Sequence, residues 1–440
     1  MNRSIVPKKI TLRRFLKTLG GLFLLLVVAL VVWPKPDDLG RSEFFADRTY
    51  QFEALRALND VAVAGGDTGE AAQAISQIKG GDAQSWYVAW NAAGDRVRNL
   101  ALRTNNSLSK GDALLRAHTY YRTAEFFLAP HDPLRPQIWK KNVDAFYGGL
   151  DALHVAHERL TIPYGKNHLN AVYYPGPAGS EARPLLVVVG GYDSTMEELY
   201  LHVGAAALRH GYAVLTYEGP GQGSVIREQG LVFESTWEKP NGAVLDAFLA
   251  SHARPAKIVL LGESLGGYLA PRAAAFDPRI DGVVAFDVWY DGFAVAARHV
   301  PPLAFWLREH GHTGILNFLA GLHSDSGATW AQTNGMWVFG VPDPFALLDA
   351  FKAYRLAPVA ARIKADVLIF AGDDDHFIPA DQMDQFRKSL TSARSVAAIS
   401  FDRLSGGSQH CQIGAPSLWQ AALFDWLNST YPAATPTGHG

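Results

Sequence analysis

A hydroxyl becomes a useful nucleophile near neutral pH only when a base takes its proton and a third group holds that base in place. Ser264, Asp375 and His410 supply those groups in the chain order nucleophile, acid, histidine. Ser264 is the centre of Gly262-Glu263-Ser264-Leu265-Gly266, a G-x-S-x-G pattern lying between the apolar run 257–261 and a helical stretch. Glycines two before and two after the serine leave room for a sharp strand-to-helix turn that lifts Oγ above a sheet. Read alone, the same five residues also describe a plain Gly-Ser turn packing a strand against a helix. The acid comes from "LIFAGDDDHFIP", where Asp375 is the favoured carboxylate and Asp373 and Asp374 read as turn and capping residues. His410 sits in the Gly-rich "SGGSQHCQIGAP" after the next strand. His376 is a rival base, but its place beside the acid makes it a poor partner for it.

Acyl transfer also needs two backbone N–H donors for the developing oxyanion. One is the residue after the nucleophile, Leu265; the other comes from "VVVGGYDSTMEELYL", where Tyr192 is the first choice and Asp193 the near alternative. Gly190 and Gly191 let that loop approach a ligand closely. Glu197 and Glu198 read as first-turn residues of the next helix, with substrate contact as the second option. Gly191, Asp193, Glu263, Asp287, Trp289 and Asp291 are the candidate substrate contacts, and Asp287 and Asp291 are placed to help a carbanionic leaving group or to cap a helix. Trp289, Tyr290, Trp306, Trp330 and Trp337 suit an apolar or aromatic acyl group, or simply pack. "YEGPGQGSV" matches neither dinucleotide nor P-loop spacing, and the Asp373–His376 run lacks a second ligand cluster, so neither a cofactor nor a metal is expected.

Residues so far apart need a sheet to gather them. Runs at 184–191, 212–219, 257–264, 281–290, 365–373 and 395–404 are short, apolar and separated by helical stretches, the pattern of a mostly parallel sheet with helices on both faces. Before them, residues 41–158 carry helical periodicity; near Arg159 the period drops to two and turns through Gly165-Lys166-Asn167, predicting a hairpin that opens a catalytic domain over 159–430. The aromatic-rich stretch 291–358 is too long for a connection and reads as an inserted helical cap, and 431–440 reads as a disordered tail. In the first 40 residues Lys8, Lys9, Arg13, Arg14 and Lys17 precede the uncharged run 19–34, which predicts a signal anchor or signal peptide. The expected partner is the membrane, with the catalytic domain outside the cytoplasm, or secreted if the segment is cleaved.

The 440 residues carry a net charge of −2 with 48% hydrophobic and 19% charged residues, which argues for a globular protein and against nucleic acid. A single cysteine, Cys411, excludes an intramolecular disulfide.

Together "ESLGGYLAPRAAAFDPRIDG", "YEGPGQG", "GGYDSTMEELY" and "GGSQHCQIGAP" resemble the α/β-hydrolases of the fungal yellowish-green pigment type, which shorten polyketides by cleaving a carbon–carbon bond. They resemble more distantly 2,6-dihydroxypseudooxynicotine hydrolase and the fermentation-respiration switch esterase group. The resemblance covers roughly residues 80–430 and includes "LLRAHTYYRTAEFFLAP", similar to the helical lid of those families. It implies an α/β-hydrolase fold, Ser264, Asp375 and His410 as the triad, and a small-molecule substrate. The chain departs from the pigment enzymes in its hydrophobic N-terminus and in Glu218 before the Pro-Gly-Gln-Gly turn. The expected activity is hydrolysis of an ester, or of a carbon–carbon bond beside a ketone, through an acyl-enzyme. Peptide cleavage or acyl transfer would use the same residues, and a non-catalytic tethered binding protein would retain only the fold.

Overall fold

The computed structural model describes residues 44–298, 300–312, 314–315 and 326–432. The chain divides into a body, Phe44–Arg298 with Asp325–Gly440, and a small unit, Met1–Glu43 with His299–Ser324. Within the described part of the small unit, Pro302–Glu309 is a helix, and Trp306 stacks on His310 with ring centroids 4.3 Å apart. The apolar run 19–34 lies outside the described residues, and no helix among those described is long and apolar enough to cross a membrane.

The body begins with five helices: α1 (Arg48–Asn59), α2 (Thr68–Ile75), α3 (Ala83–Arg103), α4 (Ser107–Glu125) and α5 (Arg135–Ala152). Side-chain oxygens of Asp47, Asp67, Asp82 and Asn106 accept first-turn N–H groups of α1 to α4, which is why those helices start where they do. Tyr50, Trp86, Trp90, Tyr120 and Tyr121 fill a core of their own between these helices, with Trp86 Nε1 donating to Thr123 O at 2.6 Å.

An eight-stranded sheet follows, in the order β1 (Glu158–Tyr164), β2 (Asn167–Tyr174), β4 (Val214–Glu218), β3 (Leu185–Val189), β5 (Ile258–Glu263), β6 (Gly282–Phe286), β7 (Asp366–Gly372), β8 (Ser395–Phe401). The β1–β2 hairpin turns at Gly165, whose φ of 60° suits a residue without Cβ, and β2 pairs antiparallel with β4. All the remaining pairs are parallel. Every residue of β3 to β7 is buried, because helices cover both faces, so these strands are mostly apolar with no alternation, and their few polar residues, Thr216, Glu218, Glu263 and Asp366, are buried too. Helix α6 (Gly266–Ala274) leaves the end of β5, α7 (Ser326–Phe339) and α8 (Pro344–Phe351) belong to the insertion between β6 and β7, and α9 (Pro416–Thr430) is the last helix among the described residues. Tyr431, expected in a loose tail, is buried, and its hydroxyl donates to Asp366 at 2.9 Å and to Asp281 O at 3.0 Å.

Parallel strands present their C-terminal ends on one rim. That rim carries the loop 190–195 after β3, the bend at Ser264 after β5, Asp287 after β6, the loop 373–379 after β7 and the loop to His410 after β8.

Candidate active site

Ser264 holds a φ of 59°, a left-handed conformation that costs a non-glycine residue free energy and is kept only where the surroundings over-determine it. Two backbone bonds fix it: Ser264 N donates to Phe286 O at 2.7 Å, and Gly267 N donates to Ser264 O at 2.7 Å. A Cβ on Gly262 would stand 2.0 Å from Gly266 O, so the bend can close only with glycine there.

His410 Nε2 lies 2.9 Å from Ser264 Oγ and Nδ1 lies 2.6 Å from Asp375 Oδ2. Asp375 Oδ1 accepts from Phe377 N at 2.7 Å and from Ile378 N at 2.9 Å, which aims the other oxygen at the imidazole. Burial by itself would raise the Asp375 carboxyl; the charge of His410 and the hydrogen bonds it accepts outweigh burial and hold it below its usual range. Burial by itself would lower the His410 pKa, yet the Asp375 carboxylate carries it well above the usual histidine value. Phe52 of α1 sits 6.2 Å from the His410 ring, and Phe377 packs edge-on at 5.1 Å, so hydrocarbon shields the pair from water.

The loop 190–195 lies directly against the bend. A Cβ on Gly191 would meet Leu265 N and Ser264 Cβ, each at 2.8 Å, and Gly191 N itself is taken by Ser194 Oγ at 3.0 Å. Among the described residues, no acceptor is found for Leu265 N or Tyr192 N. Gln222 of the Pro-Gly-Gln-Gly turn secures the loop from behind, its Nε2 donating to Gly190 O at 2.7 Å and Gly191 O at 3.1 Å. Gly191→Ala must push this loop off the bend. If Tyr192 N is an oxyanion donor, kcat should fall by roughly 10²–10³-fold, with thermal stability much less affected, as steady-state kinetics and a melting curve would record.

Several expected substrate contacts are engaged elsewhere. Asp193 pairs with Arg56 at 2.8 Å, although it still borders a cavity with Tyr192, Phe126, Trp330 and Trp337. Glu263 points away from the rim, Oε2 facing His202 Nδ1 at 3.4 Å. Asp291 is the N-cap of Gly292–Ala297, accepting from Ala294 N at 3.0 Å, and pairs with Arg355 at 3.1 Å. Trp289 is buried against Phe351 with ring centroids 5.5 Å apart, which is packing and not a cleft wall. Trp330 stacks on Phe126 of the α4–α5 connection at 4.1 Å. Asp373 bonds Ser400 and Asp374 pairs with Arg403 at 2.7 Å, both tying the β7 loop to the end of β8. The His376 ring lies 3.9 Å from that of Phe377 and 5.1 Å from that of Phe52. Glu198 is buried in an ion pair with Arg56 and Glu197 accepts from the Tyr147 hydroxyl at 3.2 Å, so neither carboxylate serves as a first-turn surface charge. Thr195 is the cap, its side chain accepting from Glu198 N at 3.2 Å.

Asp287 is engaged by the loop that carries His410. It is 1% exposed, and it accepts from Cys411 N at 2.5 Å and from Gln412 Nε2 at 3.2 Å, pinning the loop that carries His410. Its Oδ2 is also 3.4 Å from His410 Nδ1, so two carboxylates flank one imidazole. Burial, then the charge of Asp375, push the Asp287 carboxyl up to about 7. Asp287→Asn keeps an acceptor for Cys411 N and removes a negative charge that favours the imidazolium. The neutral, base-active His410 should then form at lower pH. The acid limb of kcat/KM is expected to move down by about one pH unit, the gain in activity appearing on the rising limb and vanishing on the alkaline plateau.

The profile of the alpha/beta hydrolase family matches residues 185–410. Hydrolase acrC of Aspergillus aculeatus is 33% identical over 426 residues, covering 88% of this chain and 98% of the relative. The 20-hydroxy-prefusarin hydrolase FUS2 of Gibberella moniliformis is 32% identical over 413 residues, covering 88% and 97%. Among solved structures, 2,6-dihydroxy-pseudo-oxynicotine hydrolase superposes with a TM-score of 0.65 at 20% identity, covering 86% of this chain and 98% of the other, and AbyA5 with 0.60 at 22%, covering 85% and 94%. These two similarities bear on the fold, and they extend across the helical region as well as the sheet. A bend with a left-handed serine, a mostly parallel sheet and full-length relatives named as hydrolases agree: the chain belongs to the alpha/beta hydrolase family and is a hydrolase.

Proposed function

We propose that the protein is a serine hydrolase that cleaves an acyl bond of a small apolar or aromatic substrate, either an ester or a carbon–carbon bond beside a ketone. The observation that carries this is the line of contacts from Asp375 Oδ2 to His410 Nδ1 at 2.6 Å and from His410 Nε2 to Ser264 Oγ at 2.9 Å. His410 takes the Ser264 proton as Oγ bonds to the carbonyl carbon, and the oxyanion rests on Leu265 N–H and Tyr192 N–H. Collapse breaks the bond to the leaving group, whose electron pair receives the proton from His410; an alkoxide leaves as an alcohol, an enolate as a ketone. Water, deprotonated by His410, then attacks the ester of Ser264, and the acid departs. Since Asp287 and Asp291 are both engaged, the His410 imidazolium is the proton source for a carbon leaving group.

That FUS2 is named for a prefusarin, and that a structural neighbour is named for an oxynicotine, supports trying multiply oxygenated carbon skeletons beside aryl esters. Aryl esters and aryl β-diketones incubated in H₂¹⁸O test the reading. One ¹⁸O in the acid product, with an alcohol or a ketone as co-product, is expected. Transfer of the acyl group to added alcohol or amine in preference to water would indicate a transferase instead, and no turnover of either class would contradict the proposal. We also propose that the basic and apolar N-terminus anchors the chain in a membrane with the hydrolase outside the cytoplasm. Recovery in the carbonate-washed membrane fraction, with the body open to external protease, is expected; release by carbonate would overturn it.

A further inference from the structure

We propose that a buried ion cluster carried by the N-terminal helices and centred on Arg56 positions both N–H donors of the oxyanion hole, an inference that rests on the serine-hydrolase reading above. Arg56 Nε and Nη2 donate to Glu198 Oε1 and Oε2 at 2.7 and 2.8 Å, a bidentate fork, while Nη1 donates to Asp193 Oδ2 at 2.8 Å. Asp193 directly follows Tyr192, and Glu198 lies in the first turn of the helix that begins at Met196, so one guanidinium grips the loop on either side of its exit. Arg122 of α4 doubles the grip, pairing with Glu198 at 2.8 Å and Glu53 at 3.3 Å.

The cluster continues to the second donor. His202 faces Glu263 at 3.4 Å through Nδ1, and Asp60 at 3.5 Å and Glu198 at 3.7 Å through Nε2. Glu263 stands two residues before Leu265. His202 sits in a π-helical turn, Tyr200–Gly204, an irregularity that often marks a functional site. The chain beside each donor is thereby tied to one set of charges, to which the N-terminal helical region contributes Glu53, Arg56, Asp60 and Arg122.

A cluster this deep is poorly explained by stability, because hydrophobic replacements of buried ion pairs are often as stable. Direction is what it supplies: the guanidinium is a rigid planar fork, which fixes the carboxylates in angle as well as distance. The surrounding carboxylates overcome burial and keep Arg56 charged, whereas burial dominates at Glu53 and pushes it up to about 8.

Two variants test the role. Arg56→Lys keeps the charge and loses the fork; Asp193→Asn keeps the shape and loses the charge, at a side chain that is 22% exposed and therefore tolerant. Active sites are titrated to completion with a fluorophosphonate, so kcat is expressed per competent site and misfolded protein does not count. A displacement of about 1 Å in a catalytic group costs on the order of 100-fold. The expected result is a kcat per site lowered roughly 10- to 100-fold, KM changed less than about 3-fold, and affinity for an aryl trifluoromethyl ketone, whose adduct oxyanion occupies the hole, lowered in parallel with kcat. Unchanged kcat per site in both variants, or a lower melting temperature with unchanged kcat per site, overturns the proposal. If Arg56→Lys yields no folded protein, Asp193→Asn decides alone. Wild-type turnover by Ser264→Ala would overturn the serine-hydrolase reading and this inference together. Loss of turnover in Ser264→Ala beside unchanged Arg56 and Asp193 variants overturns this inference only.

Discussion

Replacing Ser264 by alanine is expected to lower kcat on an activated aryl ester by roughly 10⁶-fold, the scale seen when the nucleophile of a serine hydrolase is removed. The loss should be chemical and not structural. Ser264 is held in its left-handed conformation by backbone bonds to Phe286 O and from Gly267 N, neither of which needs the hydroxyl, so the fold should survive. A melting temperature within a few degrees of wild type would separate the two effects. What activity remains should come from water attacking a carbonyl still polarised by Leu265 N–H and Tyr192 N–H.

The second large effect concerns Asp375. In a triad with one acid, changing it to asparagine costs about 10⁴-fold, because the amide N–H faces Nδ1 and forces the proton onto Nε2, where it blocks uptake of the serine proton. Here a second carboxylate stands 3.4 Å from the same nitrogen. Asp287 can accept the Nδ1 proton bond and keep part of the population in the productive tautomer. Asp375→Asn should therefore cost between about 10² and 10⁴-fold, and Asp375→Asn with Asp287→Asn should cost clearly more than Asp375→Asn alone. Steady-state kinetics at pH 8 checks this. Equal activity of the single and double variants would show that Asp287 serves only to pin Cys411 and Gln412.

The sheet and the meeting of Ser264, Asp375 and His410 were legible because each rests on a local signal. β3 to β7 are mostly apolar runs without alternation, and G-x-S-x-G between strand and helix constrains the backbone itself. Partners of buried charges carry no such signal. Arg56 meets Asp193 and Glu198 across 137 and 142 residues, so Glu198 reads from sequence as an ordinary first-turn carboxylate. A hint was present in α1, where Glu53 and Arg56, one turn apart, and then Asp60 just past its end fall among buried residues such as Tyr50, Phe52 and Ala57. Charges on the apolar face of a helix require partners from another element. Asp287, Asp291 and Glu263 illustrate the converse. An acid at a strand end is as readily a cap or a loop tether as a substrate contact, and only the surrounding N–H groups and cations decide which. The role of Gln222 has no local signal for the same reason, since it depends on Gly190 O and Gly191 O of another loop.

The most direct test of the central claim is fluorophosphonate labelling of the full-length protein, followed by digestion and mass mapping of the modified peptide. The account predicts a single adduct on Ser264, formed fast in the wild type, absent in Ser264→Ala and strongly slowed in a His410→Ala variant. An adduct on another residue, or labelling of Ser264 at an unchanged rate without His410, would contradict it.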